Sequence, residues 1–77
     1  MIYSRFLEHP VIAMAMGKNF IAFAGLATGE IVAVDMANDQ VGAIGSHEAP
    51  ICELFWIDNF SLLMSLGFDN KIKFWNL

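Results

Sequence analysis

Four residues with hydrogen-bonding or acid–base side chains stand in order along the C-terminal part of the chain: His47, Ser65, Asp69 and Trp75. Glu48, Cys52 and Glu53 lie among them, and His9 is the other histidine. The set is thin for catalysis. A zinc site needs several His, Cys or carboxylate ligands at close spacing, and no Cys or carboxylate accompanies His47 at ligand spacing. Cys52 sits in an apolar run with no base beside it, so it reads as a small core residue. Glu48 and Glu53 read as solvated or edge residues rather than a catalytic pair. The stretch Gly25-Leu26-Ala27-Thr28-Gly29 lacks the Lys-Ser/Thr of a phosphate loop and reads as a turn. No nucleophile–base or metal constellation can be assembled, so no catalytic, cofactor or metal residue is assigned. His47 reads as a structural hydrogen-bonding histidine. Trp56 and Trp75 read as core, and Phe68 suits either packing or contact with a partner.

The pattern around these residues is one of short strands. Residues 51–57 are apolar and aromatic, with Glu53 the only charge; this suits a mostly buried strand. Asp58-Asn59 supplies turn chemistry. Residues 61–66 form a second apolar run, and Gly67-Phe68-Asp69-Asn70 turns the chain again. Residues 71–75 put Lys71 and Lys73 on one face and Ile72 and Phe74 on the other, the period-two pattern of a half-exposed strand. His47 thus precedes the first of three strands and Ser65 lies in the second. Asp69 is in the turn before the third, and Trp75 ends it, followed by Asn76.

The N-terminal half repeats the theme. Residues 2–7 are compatible with a strand, with Tyr3, Arg5 and Leu7 on one face. Residues 10–16 are apolar on both faces, and their Ala and Met would also suit a helix. The shortness of the run and the Gly17-Lys18-Asn19 turn after it favour a strand. Further strands are expected at residues 20–24, 30–34 and 41–44, with a turn at 25–29 and a polar loop at 35–40.

Composition bounds what such strands can do. The chain has 77 residues, enough for one small domain. Hydrophobic residues make up 57% and charged ones 16%, an apolar balance for a chain with so much surface per volume. Some apolar surface is therefore expected to need a cover from outside this chain. The net charge of −4 and only four Lys and Arg give no basic patch, which argues against direct nucleic-acid binding. One Cys excludes an internal disulfide and a Cys-based metal cluster. The N-terminus has no apolar core of signal-peptide length. The apolar stretch 10–27 is interrupted at Gly17-Lys18-Asn19, and neither half reaches the roughly 20 residues of a spanning helix. No membrane span is expected.

The order of elements occurs twice. Ile31-Val32-Ala33-Val34-Asp35-Met36 aligns with Ile72-Lys73-Phe74-Trp75-Asn76-Leu77 at an offset of 41 residues, and Pro10-Val11 aligns with Pro50-Ile51 at 40. This period, with His47 near the start of a copy and Trp75 near its end, resembles the WD repeat, the four-stranded blade of a β-propeller. Ser46 stands where that family has Gly, and Asn76 where it has Asp. The first copy is worn: Val34 replaces the Trp, Thr28 replaces the turn Asp, and His9 lies too close to the strand to match His47. His47-Glu48-Ala49-Pro50 and Leu66-Gly67-Phe68-Asp69 narrow the likeness. They are similar to the Bub-type spindle-checkpoint propeller and its sister, the Rae/Gle-type mRNA-export propeller. Asn38-Asp39-Gln40 and Val34-Asp35 lean toward the first, Phe55-Trp56-Ile57 and Lys73-Phe74-Trp75 toward the second.

The resemblance implies an all-β fold of about two four-stranded antiparallel blades, residues 8–45 and 46–77, the second without its outer strand. It implies that His47, Ser65, Asp69 and Trp75 form a buried hydrogen-bond chain, which the first blade lacks. The physical basis is that a turn carboxylate leaving water needs donors, here an imidazole and local amides. The resemblance further implies a non-catalytic scaffold without cofactors, in the nucleus or at the kinetochore. Its partners would be short segments of checkpoint kinases, kinetochore proteins or a nucleoporin. Phe68 takes the place of the family's turn Trp on the peptide-binding face; it keeps a flat apolar surface and loses the indole donor. Repeats of this kind bury their faces against neighbours, and about three or more are usually needed. Further blades or another chain are therefore expected to complete the ring. The abrupt end at Leu77 is read as that of a fragment, whether a truncated gene model, a split propeller or a decayed repeat protein, with a purely structural or self-assembling role as the alternative function.

Overall fold

Runs of five to seven residues, each closed by turn-forming Gly, Asn or Asp, are too short for stable helices and pair as strands instead. The computed structural model describes residues 7–77; the strand expected at residues 2–7 lies outside them, apart from Leu7. Seven strands follow in order: β1 (Val11–Met16), β2 (Ile21–Leu26), β3 (Glu30–Asp35), β4 (Gln40–Ser46), β5 (Ile51–Ile57), β6 (Leu62–Gly67) and β7 (Ile72–Asn76). The Asp58-Asn59 turn is a single 3-10 turn, Asp58–Phe60. No helix among the described residues is long and apolar enough to cross a membrane.

The helical alternative for residues 10–16 is not adopted. β1 pairs antiparallel with β2, Met14 opposite Ala24 and Met16 opposite Ala22. β2 and β4 run longer than the sequence pattern indicated, because Gly25 and Gly45 continue the ladder, each opposite Ile31. β1–β4 form one sheet and β5–β7 a second, both in consecutive order. Two such meanders stacked face to face, β5 packing against β1 and β2, make an all-β pair of propeller blades, the second three-stranded among the described residues.

The repeat recurs hydrogen bond by hydrogen bond. The Ala27 amide donates to the Pro10 carbonyl at 3.0 Å, as Phe68 does to Pro50 at 3.0 Å. Gly29 donates to Leu26 at 3.0 Å, as Asn70 does to Gly67 at 3.2 Å. Met36 donates to Phe20 at 3.0 Å, as Leu77 does to Ser61 at 3.1 Å, and Phe20 and Ser61 share a positive φ.

Phe23, Ile31, Ile51, Leu54 and Leu63 form the core between the sheets, with Trp56 and Trp75 packed against it. The Trp56 ring stacks on Phe23 with centroids 5.3 Å apart. Two faces differ from the sequence reading. In β5, Ile51 and Leu54 are buried but Glu53 and Phe55 are exposed, because a bulge between Ile51 and Glu53 resets the alternation. In β7 the alternation holds, yet the face bearing Ile72 and Phe74 is open, at 58% and 57% exposure. Lys73 and Trp75 point inward instead, since Trp75 must share a face with Leu63 across the ladder.

Candidate functional site

His47 begins the β4–β5 link, Ser65 lies in β6, Asp69 in the β6–β7 turn and Trp75 in β7. The structure brings all four together. His47 Nδ1 is 3.1 and 3.2 Å from the Asp69 carboxylate oxygens, and His47 Nε2 is 2.7 Å from Ser65 Oγ. Trp75 Nε1 donates to the same Oγ at 2.9 Å. The donors then fall into one consistent order. The indole N–H donates to the hydroxyl, the hydroxyl to Nε2, and the Nδ1–H to the carboxylate. No buried side-chain nitrogen or oxygen among the described residues lacks a partner.

Backbone geometry makes room for this line. A Cβ on Gly67 would stand 2.5 Å from His47 Nδ1 and 2.6 Å from Asp69 Oδ1. The position is thus restricted to glycine by close approach. On the other sheet, Gly29 receives the His47 amide at 2.8 Å on its carbonyl and holds the link in place. Gly29 has φ +96°, and a Cβ there would collide with the carbonyl oxygens of His47 and Ala49. The amides of Lys71 and Glu48 donate to Asp69 at 3.1 and 3.4 Å. Burial acts to raise the Asp69 pKa, but the hydrogen bonds from His47, Lys71 and Glu48 outweigh it and hold the carboxyl below its ordinary 3.8. A carboxyl depressed in the folded state adds stability that is full above the unfolded pKa and is lost as pH falls through the folded one. Asp35 is also held low, by its bonds from Asn38 and Ala37. Thermal melts of native chain and Asp69→Asn, from about pH 6 to pH 2, separate the two. The native chain should lose melting temperature more steeply on acidification than the variant; equal slopes would rule out this role for Asp69.

Ser65, His47 and Asp69 are linked in the order of a nucleophilic triad, but the setting is closed to substrate. Ser65 is 0% exposed, its oxygen already accepts the indole N–H, and no carbonyl carbon can reach it. The arrangement ties a turn, a link and two strands together.

Leu7, which the sequence pattern placed only on one face of a strand at residues 2–7, packs on Ala24, Leu26 and Val32. The 40-residue offset of Pro10 and Pro50 pairs Leu7 with His47, and the 41-residue offset pairs Ala24 with Ser65, Leu26 with Gly67, Thr28 with Asp69 and Val34 with Trp75. The first sheet thus fills the same space with hydrocarbon. Thr28 keeps part of the turn chemistry, its Oγ1 accepting the Glu30 amide at 3.4 Å. Lys73 was also missed: its ammonium reaches the Ser46 carbonyl at 3.0 Å and lies 5.9 Å from the Trp75 ring centroid. Its spacing of two from Trp75 was the available signal. Phe68 follows Gly67 in the turn, 65% exposed. Cys52 is half-buried and Glu48 and Glu53 are exposed. Among the described residues, no three His, Cys, Asp or Glu side chains gather as a metal site.

Comparison with known proteins agrees with the architecture. No family model matches the chain. Over 45 residues it is 36% identical to the mRNA export factor rae-1 of Caenorhabditis elegans, a match covering 56% of this chain and 12% of that protein. The chain therefore spans a small part of the relative's length. The computationally designed Ika4 protein superposes with a TM-score of 0.77 at 28% identity, over 87% of this chain and 41% of that one. The designed Ika8 protein gives 0.76 at 28% identity, over 86% of this chain and 20% of that one. The chain is thus a pair of stacked propeller blades, similar over about half its length to part of an mRNA export factor.

Proposed function

We propose that this chain is a non-catalytic interaction module of the WD-repeat class. Its blades, residues 8–45 and 46–77, would present short linear segments of partner proteins with the turn at Phe68. The observation that carries the reading is the exposure of that aromatic ring, 65%, on a turn made rigid from beneath. The Phe68 amide is tied to Pro50 at 3.0 Å, and the next residue, Asp69, is locked by His47. A flat ring held on a fixed backbone loses little entropy on binding, which is the property of an interface anchor.

The likeness to an mRNA export factor favours a nuclear, export-type role with a nucleoporin segment as partner over the spindle-checkpoint type. Titrating the chain with a synthetic nucleoporin peptide and with a checkpoint-kinase peptide tests this. The nucleoporin peptide should bind more tightly. Phe68→Ala should weaken it at least tenfold, about 1.4 kcal/mol, while moving thermal stability by no more than about 0.5 kcal/mol. Binding indifferent to Phe68 would overturn the site; preference for the kinase peptide would overturn the export assignment.

A further inference from the structure

We propose that the outward face of the second sheet is a docking surface for a second copy of this chain. The second copy would seat the outward face of its first sheet there, head to tail. This rests on packing alone and is independent of the role given to Phe68.

The surface is apolar except at its β5 edge, where the exposed Glu53 stands opposite Leu66. Phe55, Met64 and Phe74 form one row across the sheet, with Leu66 and Ile72 in the next. Phe55, Ile72 and Phe74 are 48%, 58% and 57% exposed. Large unpartnered apolar patches of this kind mark association sites. The repeat says what covers it. Met64, Leu66, Ile72 and Phe74 correspond, 41 residues on, to Phe23, Gly25, Ile31 and Ala33. Those residues lie on the face of the first sheet that already holds a blade, since Phe23, Ile31 and Ala33 belong to the intersheet core. The exposed face is the second copy of an occupied one.

The occupant of that face in the first sheet is the inner side of the second, with Leu54, Trp56, Leu63 and Trp75. Their repeat counterparts are Met14, Met16, Ala22 and Val34. Met14, Ala22 and Val34 line an apolar cleft of about 270 Å³ on the outward side of the first sheet, and Met14 and Met16 are 64% and 57% exposed. Size complementarity selects the pairing. Inside the chain, small residues of the first sheet (Ala13, Ala15, Gly25, Ala33) receive large ones from the second. In the free pair the large residues are Phe55 and Phe74, and the cleft that would receive them has Ala22 and Ala24 in its lining, among Val11, Met14 and Val34. Two second-sheet faces meeting each other would set Phe against Phe, and close packing disfavours large on large. Methionines at the seat adapt to an incoming ring. Because the two surfaces differ, the contact is heterologous and propagates into a ring or an open chain.

The test uses the full 77-residue chain in light scattering and sedimentation over a range of concentrations. The native chain should self-associate. Phe74→Glu and Met14→Glu each bury a charge in the contact and should each weaken association about a hundredfold or more. Both sites are largely exposed in the single chain, and circular dichroism checks that each variant folds. Each variant keeps one intact surface of opposite kind, so mixing them should restore a one-to-one pair and nothing larger. A native chain monomeric at its highest soluble concentration overturns the proposal. So does a Met14→Glu variant that associates like the native chain, or a mixture that does not pair.

Discussion

Gly29→Ala is expected to destabilise the chain by about 3 kcal/mol, from left-handed backbone strain and a steric clash together. The backbone there has φ +96°, and the added Cβ would run into the carbonyl oxygens of His47 and Ala49. Neither obstacle is the flexible end of a side chain, so relief requires the β4–β5 link to move. That link carries His47, whose amide is bonded to the Gly29 carbonyl at 2.8 Å. The damage therefore spreads from the first sheet to the second. A chain of this size has roughly 4–12 kcal/mol of stability in all, so the loss should be plain in urea unfolding. Asn70, the counterpart in the second turn, holds a side chain at φ 63°. If strain alone mattered, Gly29→Asn would be well tolerated; the collision predicts that it costs nearly as much as Ala. A loss below about 1 kcal/mol in both variants would show that the link is not seated against this turn.

His47→Ala should cost about 2–3 kcal/mol. His47 is 4% exposed and Ser65 0%, so removing the imidazole leaves the buried hydroxyl proton without an acceptor, although Trp75 still donates to the oxygen, and the carboxylate of Asp69 loses its principal side-chain donor. Ser65→Ala alone should be of similar size, because it leaves both the Trp75 N–H and His47 Nε2 without partners. The two losses come from breaking one line, so the double variant should cost less than their sum by about 1 kcal/mol or more. Strict additivity in urea unfolding would mean that the side chains act separately, and the line would then be no unit.

Much of the fold was legible because its signals are local. Runs of five to seven apolar residues between Gly, Asn and Asp admit little besides strands, and the offset of 41 residues between Val34-Asp35 and Trp75-Asn76 announces two copies. What the sequence pattern did not convey is which face of a strand is covered. Ile72 and Phe74 are the more apolar pair of β7, yet they are exposed, because Trp75 is drawn inward by Ser65 and carries Lys73 with it. The β5 bulge was likewise hidden, since an extra residue leaves no compositional trace. The four polar residues of the site were visible as types in order; Leu7, their apolar counterpart, was not, because a leucine before a strand looks like any other. Only the Pro10–Pro50 alignment picks it out.

Both tryptophans lie where the sheets meet: Trp56 against Phe23 of β2, and Trp75 with its ring against Gly45 of β4. Each indole N–H is also bonded within the second sheet and its loop, to Asp58 and Ser65 respectively. The intrinsic emission of this chain is consequently a gauge of docking between the blades. Separation of two intact sheets would change the fluorescence while leaving the far-ultraviolet dichroism almost still, and disagreement between the two signals would time the two events apart.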